Sequence, residues 1–206
     1  MRCTSLKHWA LYSAPLLLIL AALWLGFDTE RDAALFFKDF RAAHAGLTMF
    51  MKFVTDWCNP LFYLVYAGML LTAWRTGNRE RLRFVLVVLV VQGLVAGLAV
   101  HFTKYLIGRP RPGQGHWYEP LSGRAAQEAL PSGHTAEYTG WTLPLALRLS
   151  RAALTVLLGL SLGLVGFSRI YLGWHHPTDV FFGWLLSSVG GFAAVIIADS
   201  SLFRRS

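Results

Sequence analysis

Long apolar stretches dominate this sequence and restrict what it can fold into. Six of them follow one another with short polar intervals, at residues 9–27, 50–74, 84–107, 132–149, 152–173 and 178–198. Each is close to the ~20 residues that cross the hydrocarbon core of a bilayer as a helix, and in lipid only helices and closed barrels satisfy their own backbone polar groups. The sequence therefore predicts an all-α fold, an integral membrane bundle of six transmembrane helices.

Composition and charge agree with a membrane protein of one domain. Hydrophobic residues make up 55% of the 206 residues and charged residues only 15%, against about 25% charged residues in soluble domains. The formal net charge is +8, but the charges lie between the apolar stretches, so nucleic acid is not an expected partner. No repeat or low-complexity segment divides the chain, and we expect a single domain over residues 1–206. Cys3 and Cys58 lack metal-ligand spacing, so neither a disulfide framework nor a zinc site is expected.

The intervals between the stretches add detail to this arrangement. Residues 28–49 mix charged and apolar residues at helical spacing, which predicts a short interfacial helix between spans one and two. The first stretch is longer than the apolar region of a usual signal peptide and no small-x-small cleavage site follows it, so we expect an uncleaved first span. The fourth stretch contains many small and polar residues and is expected inside the bundle.

Lysines and arginines predict which side of the membrane each interval faces. The cluster RTGNRERLR at residues 75–83 and the tail FRRS at 203–206 are the strongest cytoplasmic signals. We therefore expect cytoplasmic termini, with residues 28–49, 108–131 and 174–177 outside. Short loops and the lack of an added domain favour a multi-pass protein of a bacterial inner (cytoplasmic) membrane, whose outer loops face the periplasm.

Three polar segments fall at this outer face. They are KYLIGRPRP at 104–112, LPSGHT at 130–135 and GFSRIYLGWHHPTDV at 166–180. Each has an ordinary explanation when taken alone: a lysine that reaches the headgroups, a serine that caps a helix, a histidine in an interfacial turn. Those explanations do not account for three segments that bring cations, histidines and helix starts to one membrane level.

The combination suits phosphoryl transfer from a lipid. Lys104, Arg111 and Arg169 supply positive charge, and a guanidinium group matches phosphate oxygens in bidentate fashion. The amides of Gly133 and His134 at the start of the fourth span offer a second kind of anion site. No carboxylate cluster suited to magnesium accompanies them. We therefore expect neither a metal nor another cofactor, and the cations take the role that a metal has elsewhere.

A nucleophile and a proton donor complete the predicted chemistry. Asp179 lies four residues after His175, and Pro177 suits the first position of the last helix. A hydrogen bond between Asp179 and one ring nitrogen of His175 would fix the tautomer and leave the other nitrogen free to attack phosphorus. His134 would give a proton to the departing lipid oxygen.

At these residues the chain resembles the type 2 phosphatidic acid phosphatase (PAP2) family, whose pattern is K-x6-RP, PSGH and SR-x5-H-x3-D. All three blocks agree in order and spacing, on Lys104, Arg111, Pro112, residues 131–134, Ser168, Arg169, His175 and Asp179. The joint agreement is far more specific than any one block, although the motifs cover only a small part of the chain.

The resemblance implies a metal-independent phosphatase that forms a phosphohistidine on His175, with Asp179 as orienting group and His134 as general acid. The phosphate ligands it implies are Lys104, Arg111, Ser132, Gly133 and Arg169. Arg109 also precedes a proline, but the family spacing leaves it only an auxiliary part. His176 has no family role by position.

These features predict a membrane lipid phosphatase that hydrolyses a lipid phosphomonoester or the terminal phosphate of a lipid diphosphate. Undecaprenyl diphosphate, phosphatidylglycerophosphate, phosphatidic acid and a lipid A phosphate are all candidate substrates.

A lipid phosphotransferase, in which a second lipid captures the phosphohistidine, would keep every motif residue. A transporter or scaffold would place its polar groups near mid-span, whereas these lie at span ends. Soluble vanadium haloperoxidases have a similar three-block pattern. The six apolar stretches argue against membership of that branch, because a soluble enzyme does not need them. The expected partners are the lipid phosphate substrate and membrane lipids, with the oligomeric state left open.

Overall fold

The chain folds into helices joined by short turns and one longer loop. The computed structural model describes residues 3–200 and contains no strand in that range, so the all-α prediction is confirmed there. The helices are α1 (Cys3–Gly26), α2 (Glu30–Ala43), α3 (Ala45–Arg75), α4 (Arg79–Gln92), α5 (Val100–Ile107), α6 (Gly133–Leu149), α7 (Ala152–Tyr171) and α8 (Pro177–Asp199). A π-helical segment, Gly93–Ala99, joins α4 and α5 into one continuous helix, and a 3-10 turn, Ala125–Gln127, precedes α6. The FRRS tail lies outside the described residues.

Four helices in the described range are long and apolar enough to cross a membrane. They are Ser5–Gly26 within α1, the continuous helix Arg79–Ile107, α7 and α8. The predicted stretches at 50–74 and 132–149 are helical, as α3 and α6, but neither meets the same measure. Four of the six predicted spans thus meet this measure of length and composition, and a spanning role for α3 and α6 stays a prediction. The interfacial position of α2 also stays a prediction.

α2 forms where the mixed pattern of charged and apolar residues predicts a helix. Thr29 caps it, since its Oγ1 accepts the backbone N–H of Asp32 at 3.1 Å. Ala33 and Phe37 are its buried residues, and the Phe37 ring packs edge-on against Phe167 of α7 with the ring centroids 5.5 Å apart. One side of α2 is therefore held against α7.

α6 is the central helix of the bundle. It packs against α1, α3, α4, α7 and α8, and residues 138–147 are all buried. Its polar groups find partners there: Thr142 Oγ1 lies 2.6 Å from the Tyr12 hydroxyl, and the Trp141 carbonyl accepts from the Tyr66 hydroxyl at 2.8 Å. Small and polar residues suit such close contact between helices. The prediction that the fourth stretch lies inside the bundle is therefore confirmed.

Hydrogen bonds after α5 bring the three polar segments to one end of the bundle. The Arg111 N–H donates to the Ala126 carbonyl at 2.8 Å, which folds the loop back on itself. The Ser132 N–H donates to the Asp179 carbonyl at 2.8 Å, which joins the start of α6 to the start of α8. Gly183 permits this approach, because a Cβ there would lie 2.5 Å from the Ser132 carbonyl oxygen.

Candidate active site

A cavity of about 630 Å³ lies where the three polar segments meet. Its charged and histidine lining residues are His101, Lys104, Arg111, Glu128, His134, Glu137, Arg169 and His175. Apolar and small residues line the part toward α4 and the π-helical segment: Leu89, Gly93, Ala96 and Gly97. The cavity therefore joins a cationic pocket to an apolar wall.

His175 is the buried histidine of this cavity, with 2% of its side chain exposed. Its Nδ1 lies 2.7 Å from the carbonyl oxygen of Ala129. Since a carbonyl only accepts, Nδ1 carries the proton and Nε2 keeps its lone pair. Burial, and then the charges of Arg169, Lys104 and Arg111, lower the pKa of His175 well below its ordinary value. The ring is thus neutral, and so nucleophilic, at neutral pH.

Asp179 does not make the hydrogen bond to His175 that the sequence predicts. Its Oδ2 is 3.7 Å from His175 Nδ1, beyond hydrogen-bond distance. Pro177 does begin α8, and the Asp179 carboxylate turns back to accept from the His176 N–H and from Arg109 Nη1, both at 2.7 Å. The carboxylate is fully buried, so its charge requires these donors. A loop carbonyl orients His175 in its place.

Glu30 extends this contact into a network between α2 and α8. Arg109 Nη2 donates to Glu30 Oε2 at 2.7 Å, and Glu30 also accepts from the N–H (2.8 Å) and the hydroxyl (3.0 Å) of Thr178. Burial alone would raise the pKa of the Glu30 carboxyl, but the bonds from Thr178 and Arg109 hold it below its ordinary value. We call these residues the Glu30–Arg109–Asp179 network. Sequence reasoning missed Glu30, because it lies far along the chain from Asp179 and outside the motifs.

Two of the three cations reach the cavity from helix ends. Lys104 is 7% exposed in the last turn of α5, and its Nζ lies 3.8 Å from the place of a Cβ on Gly133, beside the start of α6. Arg169 is 4% exposed in the last turn of α7. Its Nη1 donates to Thr55 Oγ1 at 2.7 Å, and its guanidinium carbon lies 4.2 Å from the ring centroid of Trp174. Packing thus fixes the direction of both charges.

Arg111 is the third cation, and it lines the cavity while Arg109 does not. Arg109 turns toward Glu30 and Asp179 instead. The Nε atoms of Arg111 and Arg169 are buried and have no hydrogen-bond partner among the described residues. Buried polar groups are normally paired, so these two donors are exceptions, and both arginines that carry them line the cavity.

The start of α6 offers backbone donors. Gly133 and His134 line the cavity, and the first amides of a helix have no partner within the helix. Ser132 occupies the N-cap position without a side-chain cap, is fully buried, and accepts a hydrogen bond from the Thr135 hydroxyl at 3.0 Å. Its side chain does not line the cavity, so its role as a phosphate ligand stays a prediction.

Comparison with known proteins identifies a family for this chain. The sequence model of the PAP2 superfamily matches residues 81–201, a range that contains every motif residue. The chain belongs to the PAP2 superfamily.

Among its relatives, the undecaprenyl-diphosphatase BcrC of Bacillus subtilis is 30% identical over 155 residues, which cover 74% of this chain and 76% of that protein. An undecaprenyl-diphosphatase of Sulfolobus acidocaldarius is 27% identical over 174 residues, 78% of this chain and 75% of that protein. A lipid A 1-phosphatase of Rhizobium etli is 32% identical over 113 residues, 50% of this chain and 44% of that protein. No solved structure matches significantly.

The PAP2 motifs omit a polar wall of the cavity. Glu137 lines the cavity one turn after His134, and Asn59 Nδ2 donates to Glu137 Oε2 at 3.0 Å and to the His134 carbonyl at 3.3 Å. The Tyr63 hydroxyl also donates to the Glu137 carboxylate, and Gln92 Nε2 donates to the Glu137 carbonyl at 2.9 Å. These partners come from α3 and α4. The only signal for them in the sequence is that polar side chains interrupt apolar stretches.

Metal ligands are a separate question for the PAP2 site. Within residues 3–200, no group of three or more His, Cys, Asp and Glu side chains is arranged to hold a metal ion. The metal independence that the resemblance implies stays a prediction.

Proposed function

We propose that this PAP2 protein is an integral membrane lipid phosphatase that hydrolyses a lipid phosphomonoester or the terminal phosphate of a lipid diphosphate. The observation that supports it most directly is a buried His175 with a free Nε2 in a cavity lined by three cations. A nucleophile surrounded by positive charge suits a substrate that carries a phosphate group. The names of the relatives, undecaprenyl-diphosphatase and lipid A 1-phosphatase, agree with this substrate class.

The proposed reaction passes through a phosphohistidine. Lys104, Arg111 and Arg169 bind the phosphate oxygens while His175 Nε2 attacks phosphorus. The bond from phosphorus to the lipid oxygen breaks, and that oxygen takes a proton from His134. A water molecule then attacks the phosphorus and gives its proton to His134, and the bond to His175 breaks to release phosphate. The cations and the first amides of α6 stabilise the charge on the transferred group.

Asp179 acts on His175 through charge. The imidazole becomes positive as Nε2 bonds to phosphorus, and a buried carboxylate 3.7 Å from Nδ1 favours that positive form. Arg109 and Glu30 keep the carboxylate in position through their hydrogen bonds. Asp179 therefore stabilises the positive imidazole electrostatically, while the Ala129 carbonyl fixes the orientation of the ring.

We place this site at the outer face of a bacterial inner membrane, with cytoplasmic termini, an interfacial α2, and six spans that include α3 and α6. The continuous helix Arg79–Ile107 has 29 residues, about 44 Å at 1.5 Å per residue. It separates the basic cluster at 75–83 from Lys104, as the positive-inside rule requires for an outward-facing site. The small residues of the π-helical segment line the cavity, and we propose that a lipid chain enters there from the bilayer.

Phosphate release from a panel of lipid phosphates tests this proposal. The protein purified in detergent is assayed with undecaprenyl diphosphate, lipid A 1-phosphate, phosphatidylglycerophosphate and phosphatidic acid, with excess chelator present. We expect release from at least one of them, and a fall of about 10³-fold or more for His175→Ala, because the nucleophile is lost. Undecaprenyl diphosphate is the first substrate to test, because the alignment with a relative named undecaprenyl-diphosphatase covers 74% of this chain.

His44→Ala is the matched control, because His44 is an exposed histidine at the end of α2. Full turnover by His175→Ala would refute the mechanism, and loss of activity with chelator would refute its metal independence. Inorganic phosphate equal to the lipid consumed identifies a hydrolase, whereas a newly phosphorylated lipid identifies a phosphotransferase. Trapping of the phosphohistidine is done at alkaline pH because the phosphoramidate bond is acid-labile.

A further inference from the structure

A second cavity lies outside the candidate active site, between α2, the segment 111–116 and the turn before α8. Its volume is about 320 Å³. Six basic side chains line it: Arg31, Lys38, Arg41, Arg111, His116 and His176. No Asp or Glu of residues 3–200 lines it. We call it the basic cleft. Apart from Arg111, none of these side chains has a part in the phosphoryl transfer proposed above.

One face of α2 supplies half of these charges. The α2 residues that line the basic cleft repeat at helical spacing: Arg31, Ala34, Leu35, Lys38 and Arg41. A different face, with Ala33 and Phe37, is buried against the bundle. Arg31 and Lys38 are exposed at the mouth of the cleft, and Arg41 is half-buried. The helix therefore holds three cations along a concavity instead of on an open surface.

Arg41 is fixed at the inner end of the cleft. Its Nη1 donates to the Tyr171 carbonyl at the end of α7. Its Nη2 lies 3.0 Å from the place that a Cβ of Gly173 would take, and Gly173 has a φ of +70°, in the left-handed region that favours glycine. The glycine turn thus leaves room for a guanidinium whose bonded partner is a neutral carbonyl. Because this partner is neutral, the positive charge of Arg41 is not paired in the contact and is available to an anion.

Arg111 connects the two cavities. It lines both of them, and its buried Nε has no hydrogen-bond partner among the described residues. A concave site with one sign of charge raises the local concentration of its counter-ion. An anion that leaves the catalytic cavity past Arg111 therefore comes next to the basic cleft.

We propose that the basic cleft is a second phosphate-binding site, distinct from the site at His175. The proposal rests on the proposed function, because the ligand it fits is the anion that a phosphatase releases. Guanidinium groups bind phosphate oxygens in a bidentate manner, which favours phosphate over simple halides. The phosphate group comes either from inorganic phosphate or from the headgroup of an anionic lipid beside α2.

Equilibrium dialysis of radiolabelled orthophosphate against the protein in a neutral detergent tests this proposal. We expect the wild type to bind two phosphates per chain, one in each cavity. The double variant Arg31→Gln with Lys38→Gln weakens one of them more than about tenfold, because two charged donors are lost. Arg169→Gln weakens the other. Lys52→Gln, which removes an exposed cation of α3 that does not line the cleft, keeps both.

A wild type that binds one phosphate only, or a double variant that keeps both, overturns the proposal. If the double variant loses both phosphates, Lys38→Gln alone decides: a selective loss of one supports the proposal, and a loss of neither overturns it. Phosphatidylglycerol added to the micelles displaces the cleft phosphate if a headgroup is the ligand, whereas phosphatidylcholine does not. No displacement identifies inorganic phosphate as the ligand. Binding needs no turnover, so this result and the His175→Ala assay fail independently.

Discussion

Glu30 connects the candidate site to a helix that no motif covers. Its carboxylate holds Arg109 and Thr178, and Arg109 in turn holds Asp179. Glutamine has the same shape without the charge, so Glu30→Gln weakens the hold on Arg109 and lets the Asp179 carboxylate shift. We expect kcat to fall about 3- to 30-fold with little change in KM, because Glu30 does not line the cavity. Steady-state phosphate release measures both constants.

The control for this change is Asp28→Asn, the same loss of charge at an exposed position two residues earlier. Coupling is tested by placing Glu30→Gln in an Asp179→Asn background. Because Glu30 acts through Asp179, the second change should add almost nothing to the first. Losses that multiply in the double variant would contradict the Glu30–Arg109–Asp179 network as a positioning device.

Roles of single residues differ in how far they could be predicted. The K-x6-RP spacing selects Arg111 over Arg109, and the structure places only Arg111 in the cavity. The hydrogen bond that orients His175 comes from the backbone carbonyl of Ala129, and every residue carries such a carbonyl. Side-chain chemistry at fixed spacing is therefore visible in a sequence, whereas a backbone role depends on the path of a loop.

At the scale of elements, hydropathy predicts the helices but not how closely they approach one another. The stretches at 132–149 and 178–198 agree with α6 and α8 within one residue at each end. The π-helical segment Gly93–Ala99 was not predicted, because it differs from an α-helix in hydrogen bonding and hardly in residue type. The contact of α2 with α8 was also missed, since it depends on polar bonds between segments distant in the chain.

The contact between α6 and α8 depends on Gly183. A Cβ there would lie 2.5 Å from the Ser132 carbonyl, so Gly183→Ala forces the two helix starts apart and stretches the 2.8 Å bond from the Ser132 N–H to Asp179. We expect the free energy of unfolding to fall by about 1–3 kcal/mol and phosphate release to fall with it. Gly68→Ala in α3 is the control, because nothing lies within 4 Å of its added Cβ. Thermal unfolding in detergent compares them, and equal melting temperatures would contradict this account.

At the scale of the whole molecule, burial sharpens the argument for orientation. Basic residues are nearly balanced between the two sides of the predicted topology, because the outer side also carries Lys104 and Arg169. The structure buries both of these, at 7% and 4% exposure, in a cavity. They therefore line the cavity and are not loop charges of the kind that sets topology. Without these two, ten lysines and arginines lie on the cytoplasmic side of the predicted topology and seven on the outer side, which favours a cytoplasmic turn between α3 and α4.

Single cysteines in a cysteine-free background test this orientation and the two spans that composition leaves open. The positions are the exposed residues His44, Thr76, Gln114 and Arg151. A membrane-impermeant maleimide should label His44→Cys and Gln114→Cys in intact cells, and Thr76→Cys and Arg151→Cys only after permeabilisation. His44 and Thr76 flank α3, so labelling of both from one side would show that α3 does not cross the membrane. The reverse pattern would turn the cavity toward the cytoplasm, and its substrates would then have to be lipid phosphates of the inner leaflet.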